Sequence, residues 1–428
     1  MTNEHKRVPE LRFPEFEDEW EEKKISDSIK ILKSGLSREL SNTDIGLPVI
    51  RANNLQNYGL VLDDIKYWYK EDPKGSKTEN YYLERNDILI NFINSEAKMG
   101  TTCIIKDNFK RNTIYTTNIL RYVTKENYDP FFHFTYTQTY NYKKWIKIIT
   151  KPAVNQASFT TVDFKKIPYY IPKIKEQQKV GGFFSKLDRQ IELEERKLEL
   201  LEQQKKGYMQ KIFSQELRFK DENGDDYPEW ESKKIKELFN IIDGDRGKNY
   251  PSEKDFCDKG HTLFLDTGNV TKKGFSFYTN RFIDKEKDDM LRNGKLELND
   301  FVITSRGTLG NIGFYDQNIH YKYPNIRINS AMLILRPLNI KFDNQYLYFL
   351  LKDDAIAMFM KQYRVGSAQP HITKKDFGNM KTNVITNINE QRKIAQFLTI
   401  IDKLVIKQCN KVRLLKQRKQ GLLQKMFI

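Results

Sequence analysis

The feature that most constrains the fold is an internal repeat that divides the chain in two. Residues 176–213 align without gaps onto residues 390–427, and the matches share one offset. Because the chain has 428 residues, that offset is half of its length, and chance does not produce so many matches at one spacing. The identical pairs are Glu176/Glu390, Gln177/Gln391, Lys179/Lys393, Phe183/Phe397, Asp188/Asp402, Leu200/Leu414, Gly207/Gly421, Gln210/Gln424 and Phe213/Phe427. The chain is therefore expected to fold as two copies of one module.

The repeat extends into the sequence that precedes each of these segments. The further matches are Glu10 to Phe13 with Trp20 and Glu216 to Phe219 with Trp230, Leu83/Leu296, Asn86/Asn299, Asp87/Asp300, Gln156/Gln369, Asp163/Asp376 and Phe164/Phe377. Each module is thus predicted to be a globular recognition domain followed by a long helix. The predicted domains are residues 1–173 and 215–387, and the predicted helices are residues 174–214 and 388–428.

The globular parts combine strand and helix signals. Residues 87–90 and 300–303 are predicted strands that precede glycine-bearing turns. Residues 344–361 are a predicted helix. The predicted fold class is α+β, as a tandem duplication of a mixed α and β domain plus a long helix.

The two long segments carry the apolar spacing of a coiled coil, with alternating steps of three and four residues. In the first segment the seam is Val180, Phe184, Leu187, Ile191, Leu198, Leu201, Tyr208 and Ile212; in the second it is Ile394, Leu398, Ile401, Val405, Val412, Leu415, Leu422 and Met426. The first helix is acidic where the second is basic. The two helices are predicted to pair as an antiparallel coiled coil.

Polar residues interrupt each seam at two equivalent places and suggest a register. They are Glu194 and Lys205 in the first helix, and Gln408 and Lys419 in the second. Because a buried unpaired charge is costly, the predicted register sets Glu194 opposite Lys419 and Lys205 opposite Gln408. The register one heptad away would set these side chains against apolar residues. The alternative is that the long polar side chains simply extend toward solvent.

Composition indicates a polyanionic partner. The 73 Lys and Arg residues exceed the 57 Asp and Glu residues, which gives a net charge of +16, and nucleic acid is the leading partner. An anionic membrane is disfavoured, since there is no apolar run of about 18 residues and residues 1–10 lack a signal-peptide core. A cytoplasmic protein is expected. The three cysteines, Cys103, Cys257 and Cys409, form no C-x-x-C pair, so neither a disulfide framework nor a metal site is predicted.

Motifs of catalysis are absent from the sequence. The pairs Gly247-Lys248 and Gly294-Lys295 lack the rest of a phosphate-binding loop, and there is no G-x-G-x-x-G. Asp376-Phe377-Gly378 imitates a kinase motif but is better interpreted as the entry of a helix. The aromatic stretch 131–145 could stack on bases, but its counterpart 346–350 has the pattern of a buried helix, which favours core packing.

Basic and polar residues on predicted turns are the candidate DNA contacts, since Arg, Lys, Asn and Gln can address base edges in pairs of hydrogen bonds. They recur in register in the two copies, although any single one is more often a solvated turn residue. In the first copy the candidates are Lys33, Ser34, Arg38, Arg51, Asn94, Lys98, Thr101, Asn155, Gln156 and Ser158. In the second they are Arg246, Lys248, Ser305, Arg306, Thr308, Gln369 and His371.

This architecture resembles the specificity subunit of type I restriction-modification systems, and the resemblance covers nearly the whole chain. Its carriers are Leu11-Arg12-Phe13-Pro14 with Glu19-Trp20, Glu176-Gln177-Gln178-Lys179, Glu390-Gln391-Arg392-Lys393, and the run from Lys416 to Gln424. One departure is Pro370-His371-Ile372 against Ala157-Ser158-Phe159, and the loops differ widely between the copies. The two domains are therefore expected to read different DNA sequences.

The resemblance implies a function and a set of partners. Each recognition domain would read one half of a bipartite, asymmetric site in double-stranded DNA, and the helices would act as a spacer and dock methyltransferase subunits. The partners would be two methyltransferase subunits, which carry S-adenosylmethionine, and two restriction-translocase subunits, which use ATP and Mg²⁺. The chain itself would bind no cofactor and would not be an enzyme.

Two alternatives belong to other classes. One is an enzyme with methyltransferase or nuclease chemistry in the same chain, which purified protein without partners would reveal. The other is a coiled-coil scaffold without a DNA role. A salt-dependent gel shift separates the scaffold from the DNA-binding protein, because phosphate neutralisation makes affinity fall steeply with salt.

Overall fold

A computed structural model describes residues 7–338, 341–362 and 371–428. The chain forms two compact units: Met1–Arg196 with Cys409–Ile428, and Lys197–Gln408. Each unit thus contains one globular part together with portions of both long helices, and the mixed α+β fold class is confirmed.

Among its described residues, the first unit contains thirteen strands, four short helices and residues 174–196 of the first long helix, together with residues 409–428. The strands are β1 (Glu21–Lys24), β2 (Ile29–Ser34), β3 (Gly46–Ile50), β4 (Leu55–Gln56), β5 (Gly59–Leu60), β6 (Lys66–Tyr69), β7 (Ile88–Asn91), β8 (Ile93–Asn94), β9 (Thr102–Ile104), β10 (Ile114–Tyr115), β11 (Ile119–Thr124), β12 (Ala157–Ser158) and β13 (Pro168–Ile171). The helices are α1 (Ile25–Ser28), α2 (Pro130–Tyr136), α3 (Tyr140–Ile149), α4 (Thr161–Lys165) and the long α5 (Ile174–Phe213).

The second unit follows a similar order, with two additional short helices, α7 and α8, among its described residues. Its strands are β14 (Glu231–Lys234), β15 (Phe239–Asp243), β16 (Thr262–Leu265), β17 (Val270–Thr271), β18 (Gly274–Phe275), β19 (Phe282–Ile283), β20 (Phe301–Thr304), β21 (Ile312–Phe314), β22 (Ile326–Ile328), β23 (Met332–Pro337) and β24 (Lys381–Val384). Its helices are α6 (Ile235–Leu238), α7 (Lys285–Met290), α8 (Gln317–Lys322), α9 (Asn344–Leu351), α10 (Asp354–Gln362), α11 (Lys374–Asn379) and the long α12 (Ile388–Met426), of which residues 388–408 belong to this unit.

The two units share one sheet topology. A four-stranded antiparallel sheet has the order β2-β11-β7-β9 in the first and β15-β23-β20-β21 in the second. Beside it lies a three-stranded sheet, β10-β3-β6 or β19-β16-β22, which in each unit contains one parallel pair. The central strands β7 and β20 are buried along their whole length, as the predicted apolar runs require.

The repeated Leu-x-x-Asn-Asp pattern makes the turn that precedes each central strand. Asn86 and Asn299 have left-handed φ angles of 72° and 75°, which asparagine tolerates better than most residues. Asp87 accepts a hydrogen bond from the Glu84 N–H at 2.7 Å and an ion pair from Arg121. The second copy has the same arrangement, in which burial raises the pKa of Asp300 and hydrogen bonds from Arg336 oppose that shift.

One predicted helix is broken in the structure. Residues 344–361 form two helices, α9 and α10, that are separated at Lys352 and Asp353. The Asp353 carboxylate accepts the Ala355 N–H at 3.3 Å, so this side chain satisfies a free amide at the start of α10. The aromatic stretch 131–145 lies on α2 and α3, and Phe132, Phe134 and Tyr142 are buried in the core, as predicted.

A repeated Glu-Gln pair near the start of each long helix anchors that helix to the globular part through hydrogen bonds. Glu176 accepts two hydrogen bonds from the Arg12 guanidinium, both at 2.7 Å, and a third from the Trp20 indole N–H at 3.3 Å. Gln177 accepts the Asp129 N–H and donates to the Pro172 carbonyl. Arg12 and Trp20 of the shared motifs thus bind this carboxylate.

The second copy repeats the arginine–glutamate and glutamine contacts of this arrangement. Arg218 lies 3.3 Å from Glu390, and Gln391 bridges the Asp343 N–H and the Ile385 carbonyl. Both glutamates and both glutamines are buried. The helices therefore begin at equivalent, rigidly held positions in the two units.

The helices run antiparallel within each unit, but the predicted register is wrong by about one heptad. In the first unit Lys419 pairs with Asp188, and Lys411 pairs with Glu194 at 2.5 Å. In the second unit Lys205 pairs with Asp402 at 2.5 Å, instead of lying opposite Gln408. Glu194 and Lys419 are therefore not partners.

The physical reason is that Asp188 and Asp402 lie one position beside the apolar seam, where a long lysine side chain can reach them. These ion pairs neutralise both seam lysines, whereas the predicted register would have given Lys205 only a neutral amide. The two pairs are related by the repeat, since Asp188 matches Asp402 and Lys205 matches Lys419. A register predicted from the seam positions alone does not include these two ion pairs.

We expect the Asp188–Lys419 pair to stabilise this register measurably. The two side chains are only 18% and 14% exposed, so Asp188→Lys should lower the free energy of unfolding by about 1–3 kcal/mol. Adding Lys419→Asp should recover most of that loss. Urea unfolding of the full chain measures both, with Glu195→Lys as the control, because Glu195 pairs with Lys416 at a half-exposed site. No recovery in the double variant would contradict the assignment.

Candidate nucleic-acid interface

Loops at one end of the two sheets of the first unit surround a polar cleft of about 330 Å³. They are the loop after β2, the turn after β3, the strand β8, the loop between β10 and β11, and the residue before β12. Four sequence-predicted residues, Arg38, Arg51, Asn94 and Gln156, line this cleft. Their side chains come from four separate segments of the chain, which only the tertiary fold brings together.

A glycine in each copy allows two of these loops to touch. A Cβ atom on Gly35 would lie 2.0 Å from the Tyr115 carbonyl oxygen, and one on Gly244 would lie 2.2 Å from the Asn329 carbonyl oxygen. No side chain fits at such a distance. The close backbone approach therefore holds the loop after β2 or β15 against the loop before β11 or β23.

Two arginines of the cleft are held by carboxylates. The Arg38 guanidinium donates to both oxygens of Asp72 and to Ser76, and these hydrogen bonds hold the Asp72 pKa well below its usual range. Arg51 pairs with Asp64 at 2.6 Å. Fixed guanidinium groups lose little entropy on contact with a base or phosphate.

Two buried donors in the cleft lack a partner among the described residues, namely Arg51 Nε and Asn94 Nδ2. The orientation of the Asn94 amide is determined, because its Oδ1 atom accepts the Ser95 N–H at 2.8 Å. Buried polar groups are almost always hydrogen-bonded, so unpaired ones point to a partner outside the chain or to bound water.

The remaining candidates of the first copy do not line the cleft. Lys33 lies over the Tyr81 ring at 4.2 Å, and Ser34 pairs with Leu120 in the sheet. Thr101 donates to the Lys98 carbonyl. The other positions are Lys98 and Asn155, both exposed, and Ser158, which pairs with Ile93 at the edge of the cleft.

The second unit brings together three of its candidates at the equivalent place. The backbones of Arg306 and His371 pair in an isolated antiparallel β-bridge. The His371 ring Nδ1 lies 3.3 Å from the Ser305 carbonyl oxygen. Ser305 Oγ and Arg306 Nε are buried without a partner among the described residues. Unpaired polar groups thus follow the central strand in both copies: Asn94 after β7, and Ser305 and Arg306 after β20.

The other candidates of the second copy lie around this group or outside the described residues. Arg246 donates to the Ser330 carbonyl at 3.3 Å, on the loop before β23. Lys248 and Thr308 are exposed on their turns. Gln369 lies outside the described residues.

Sequence reasoning missed the loop between β10 and β11, where Thr116, Thr117 and Asn118 line the first cleft. Its counterpart is Asn329 to Ala331. Small polar residues without a basic neighbour gave no signal of their own. The available signal was positional, because both segments fall just before strands that match in the repeat.

In the described part of the chain, no group of three or more His, Cys, Asp or Glu residues is placed to hold a metal ion. Across the same ranges, no helix is long and apolar enough to cross a membrane. The site is a pair of basic, polar loop clusters.

Comparison with known proteins shows which protein family has this arrangement. A family model described as Type I restriction modification DNA specificity domain matches residues 17–203 and again residues 227–415. The chain belongs to this family. It carries two copies of a DNA specificity domain, and the predicted role as a non-catalytic specificity subunit with two recognition domains is confirmed.

Relatives of this specificity subunit match it along its length. It is 25% identical over 418 residues to a type I restriction enzyme MjaX specificity subunit of Methanocaldococcus jannaschii, covering 95% of this chain and 92% of that protein. It is 25% identical over 430 residues to the MjaVIII specificity subunit of the same organism, with 97% and 93% coverage. The type I restriction-modification S subunit from M. genitalium has the same fold, with a TM-score of 0.60, 17% identity, and coverage of 98% of this chain and 99% of that chain.

Proposed function

We propose that residues 1–173 and 215–387 each read one half of a bipartite, asymmetric site in double-stranded DNA through the loop clusters described above. The observation that carries this proposal is that buried, unpaired polar groups occur in both copies in the segment that follows the central strand, at Asn94 after β7 and at Ser305 and Arg306 after β20. Basic and amide side chains at such a place supply donors for base edges. The net charge of +16 supplies attraction to the phosphates.

The loop sequences support different readings by the two domains. At the place where the first copy has Asn94 and Ser158, the second has an exposed glycine and His371. A change from amide to imidazole or to no side chain alters which base edges can be satisfied. Each domain therefore recognises its own half-site.

The proposed assembly follows the family. Two methyltransferase subunits with S-adenosylmethionine would dock on the paired helices 174–214 and 388–428, which also serve as a spacer. Two restriction-translocase subunits with ATP and Mg²⁺ would complete the complex, and the chain would hold no cofactor of its own. Such an assembly would act on DNA in the cytoplasm.

Replacing Arg306 and Thr308 by alanine should degrade one half-site and leave the other intact. Each well-placed contact to a base contributes about 1–3 kcal/mol of discrimination, so the affected positions should become degenerate. The measurement is sequencing of methylated adenines in a host that expresses the variant with its methyltransferase subunit. Asn94→Ala should act reciprocally, and Lys273→Ala, on the exposed turn between β17 and β18, is the control. Equal degradation of both half-sites would contradict separate reading.

A further inference from the structure

The first unit carries a basic surface on the helix α3 and on the segment that follows it. Tyr142 and Ile146 form the buried side of α3. Lys144 and Lys147 are exposed, and they lie on one side of the helix because residues three apart are neighbours. Lys151, which is also exposed, follows the end of the helix. We call Lys144, Lys147 and Lys151 the α3 lysines.

The α3 lysines have no counter-charge in the first unit. Residues 130–162 include no Asp or Glu, and the described residues form no ion pair with the α3 lysines. Neighbouring carboxylates are used locally. Asp163, on the helix α4 that packs against α3, accepts the Thr160 hydroxyl and is followed by two lysines. Glu96, on the turn after β8, is offset by Lys98. The excess of positive charge on α3 is therefore real.

This surface adjoins the cleft of the first unit. The backbones of Lys151 and Ser158 exchange two hydrogen bonds, at 2.8 and 3.1 Å. Ser158 belongs to β12, which pairs with the strand that carries Asn94 of the cleft. The helix itself contacts the turn after β8, since the Tyr142 hydroxyl donates to the Gly100 carbonyl at 3.4 Å. The helix and the segment after it therefore border the first loop cluster.

The second copy lacks this basic surface. Its equivalent helix is α10, whose Met360 lies against a turn glycine as Ile146 of α3 does. Met358 takes the place of Lys144, and Lys361 is the only lysine on α10, which also begins with an aspartate. The shared fold thus does not require lysines at these positions. Their presence in one copy points to a role that belongs to the first domain alone.

We propose that the α3 lysines bind backbone phosphates of the DNA beside the half-site that the first domain reads. This inference rests on the proposed function, because it is the loop cluster that brings the duplex to this surface. Ammonium groups recognise phosphates as point charges. Such contacts position a protein on the duplex and do not read its sequence. The two domains therefore bind the backbone with unequal electrostatic strength.

The test is the salt dependence of DNA binding by the full chain, followed by fluorescence anisotropy with a duplex of mixed sequence. Each phosphate contact contributes about 0.9 to the slope of log affinity against log salt. The triple variant Lys144→Gln, Lys147→Gln and Lys151→Gln should therefore lower that slope by about 2–3. Lys143 is left unchanged, because its ammonium group lies over the Tyr58 ring at 5.7 Å. Arginine at the same three positions should restore the slope.

The matched control removes the same charge from exposed positions of the second unit, as Lys272→Gln, Lys273→Gln and Lys361→Gln. It includes the residue that matches Lys147, and its slope should fall by less than about 1. Equal slopes in the two triple variants would refute the α3 contact and leave the half-site proposal standing. If the α3 variant keeps its slope but binds the methyltransferase subunit more weakly, a protein occupies this surface and the inference is wrong. A native chain without salt-dependent binding would contradict the proposed function as well.

Discussion

Replacing Glu176 by alanine is expected to lower the free energy of unfolding by about 3–5 kcal/mol, because the change leaves a buried cation without its partner. The side chain of Glu176 is 3% exposed and that of Arg12 is 13% exposed. The carboxylate also accepts the Trp20 indole N–H, so three donors lose their acceptor at once. Chemical unfolding of the full chain, followed by circular dichroism, measures the loss.

Glu195→Ala provides the matched control on the same helix. Its ion pair with Lys416 is as short, at 2.6 Å, but both side chains are about half exposed. Such pairs contribute little, so this variant should change stability by less than about 1 kcal/mol. If Glu176→Ala is no more destabilising than Glu195→Ala, the contacts of Glu176 with Arg12 and Trp20 do not stabilise the first unit. In the double variant with Arg12→Ala, the two losses should be less than additive.

The parts of the fold that sequence predicts best are those in which local pattern and tertiary environment agree. The internal repeat and the apolar seam of the helices can be predicted because burial requires apolar residues at a regular spacing. The central strands at 88–91 and 301–304 are buried throughout, and an apolar run expresses that burial directly.

The parts that sequence predicts poorly depend on side chains whose reach matters more than their position in a pattern. The coiled-coil register is set by Asp188 and Asp402, beside the seam, and a heptad count of the seam does not include them. Similarly, the break between α9 and α10 depends on one capping carboxylate, Asp353, inside an otherwise continuous apolar pattern.

The candidate site shows the same division. The residue types of Arg51, Asn94 and Arg306 indicate, from the sequence alone, side chains that can hydrogen-bond to base edges. Which of them meet is decided by tight backbone contacts such as that of Gly35 with Tyr115, and these depend on segments distant in the chain. Loop residues such as Thr116 enter the cleft only through that packing.

An aromatic residue at the end of each long helix completes a hydrophobic core: Phe213 is the last residue of α5, and Phe427 directly follows α12. In the second unit Phe213 packs against Trp230 and Tyr346, with ring centroids 6.3 and 6.4 Å away. In the first unit Phe427 takes the equivalent place, 6.0 Å from Trp20 and 5.2 Å from Phe132. The last turn of α12 is therefore part of the core of the first globular part, which begins the chain.

Phe427→Ala should consequently destabilise the first unit by about 3–5 kcal/mol, as expected when a buried phenylalanine is truncated in a core that cannot collapse around the gap. Phe427 is 8% exposed, whereas Leu414 on the same helix is 57% exposed, so Leu414→Ala is the control and should cost less than about 1 kcal/mol. Urea unfolding measures both variants. Because Trp20 contacts the Phe427 ring directly, its fluorescence should also change in the folded state of Phe427→Ala and not in Leu414→Ala. A stability loss as small as that of the control would show that the end of the second helix is not part of this core.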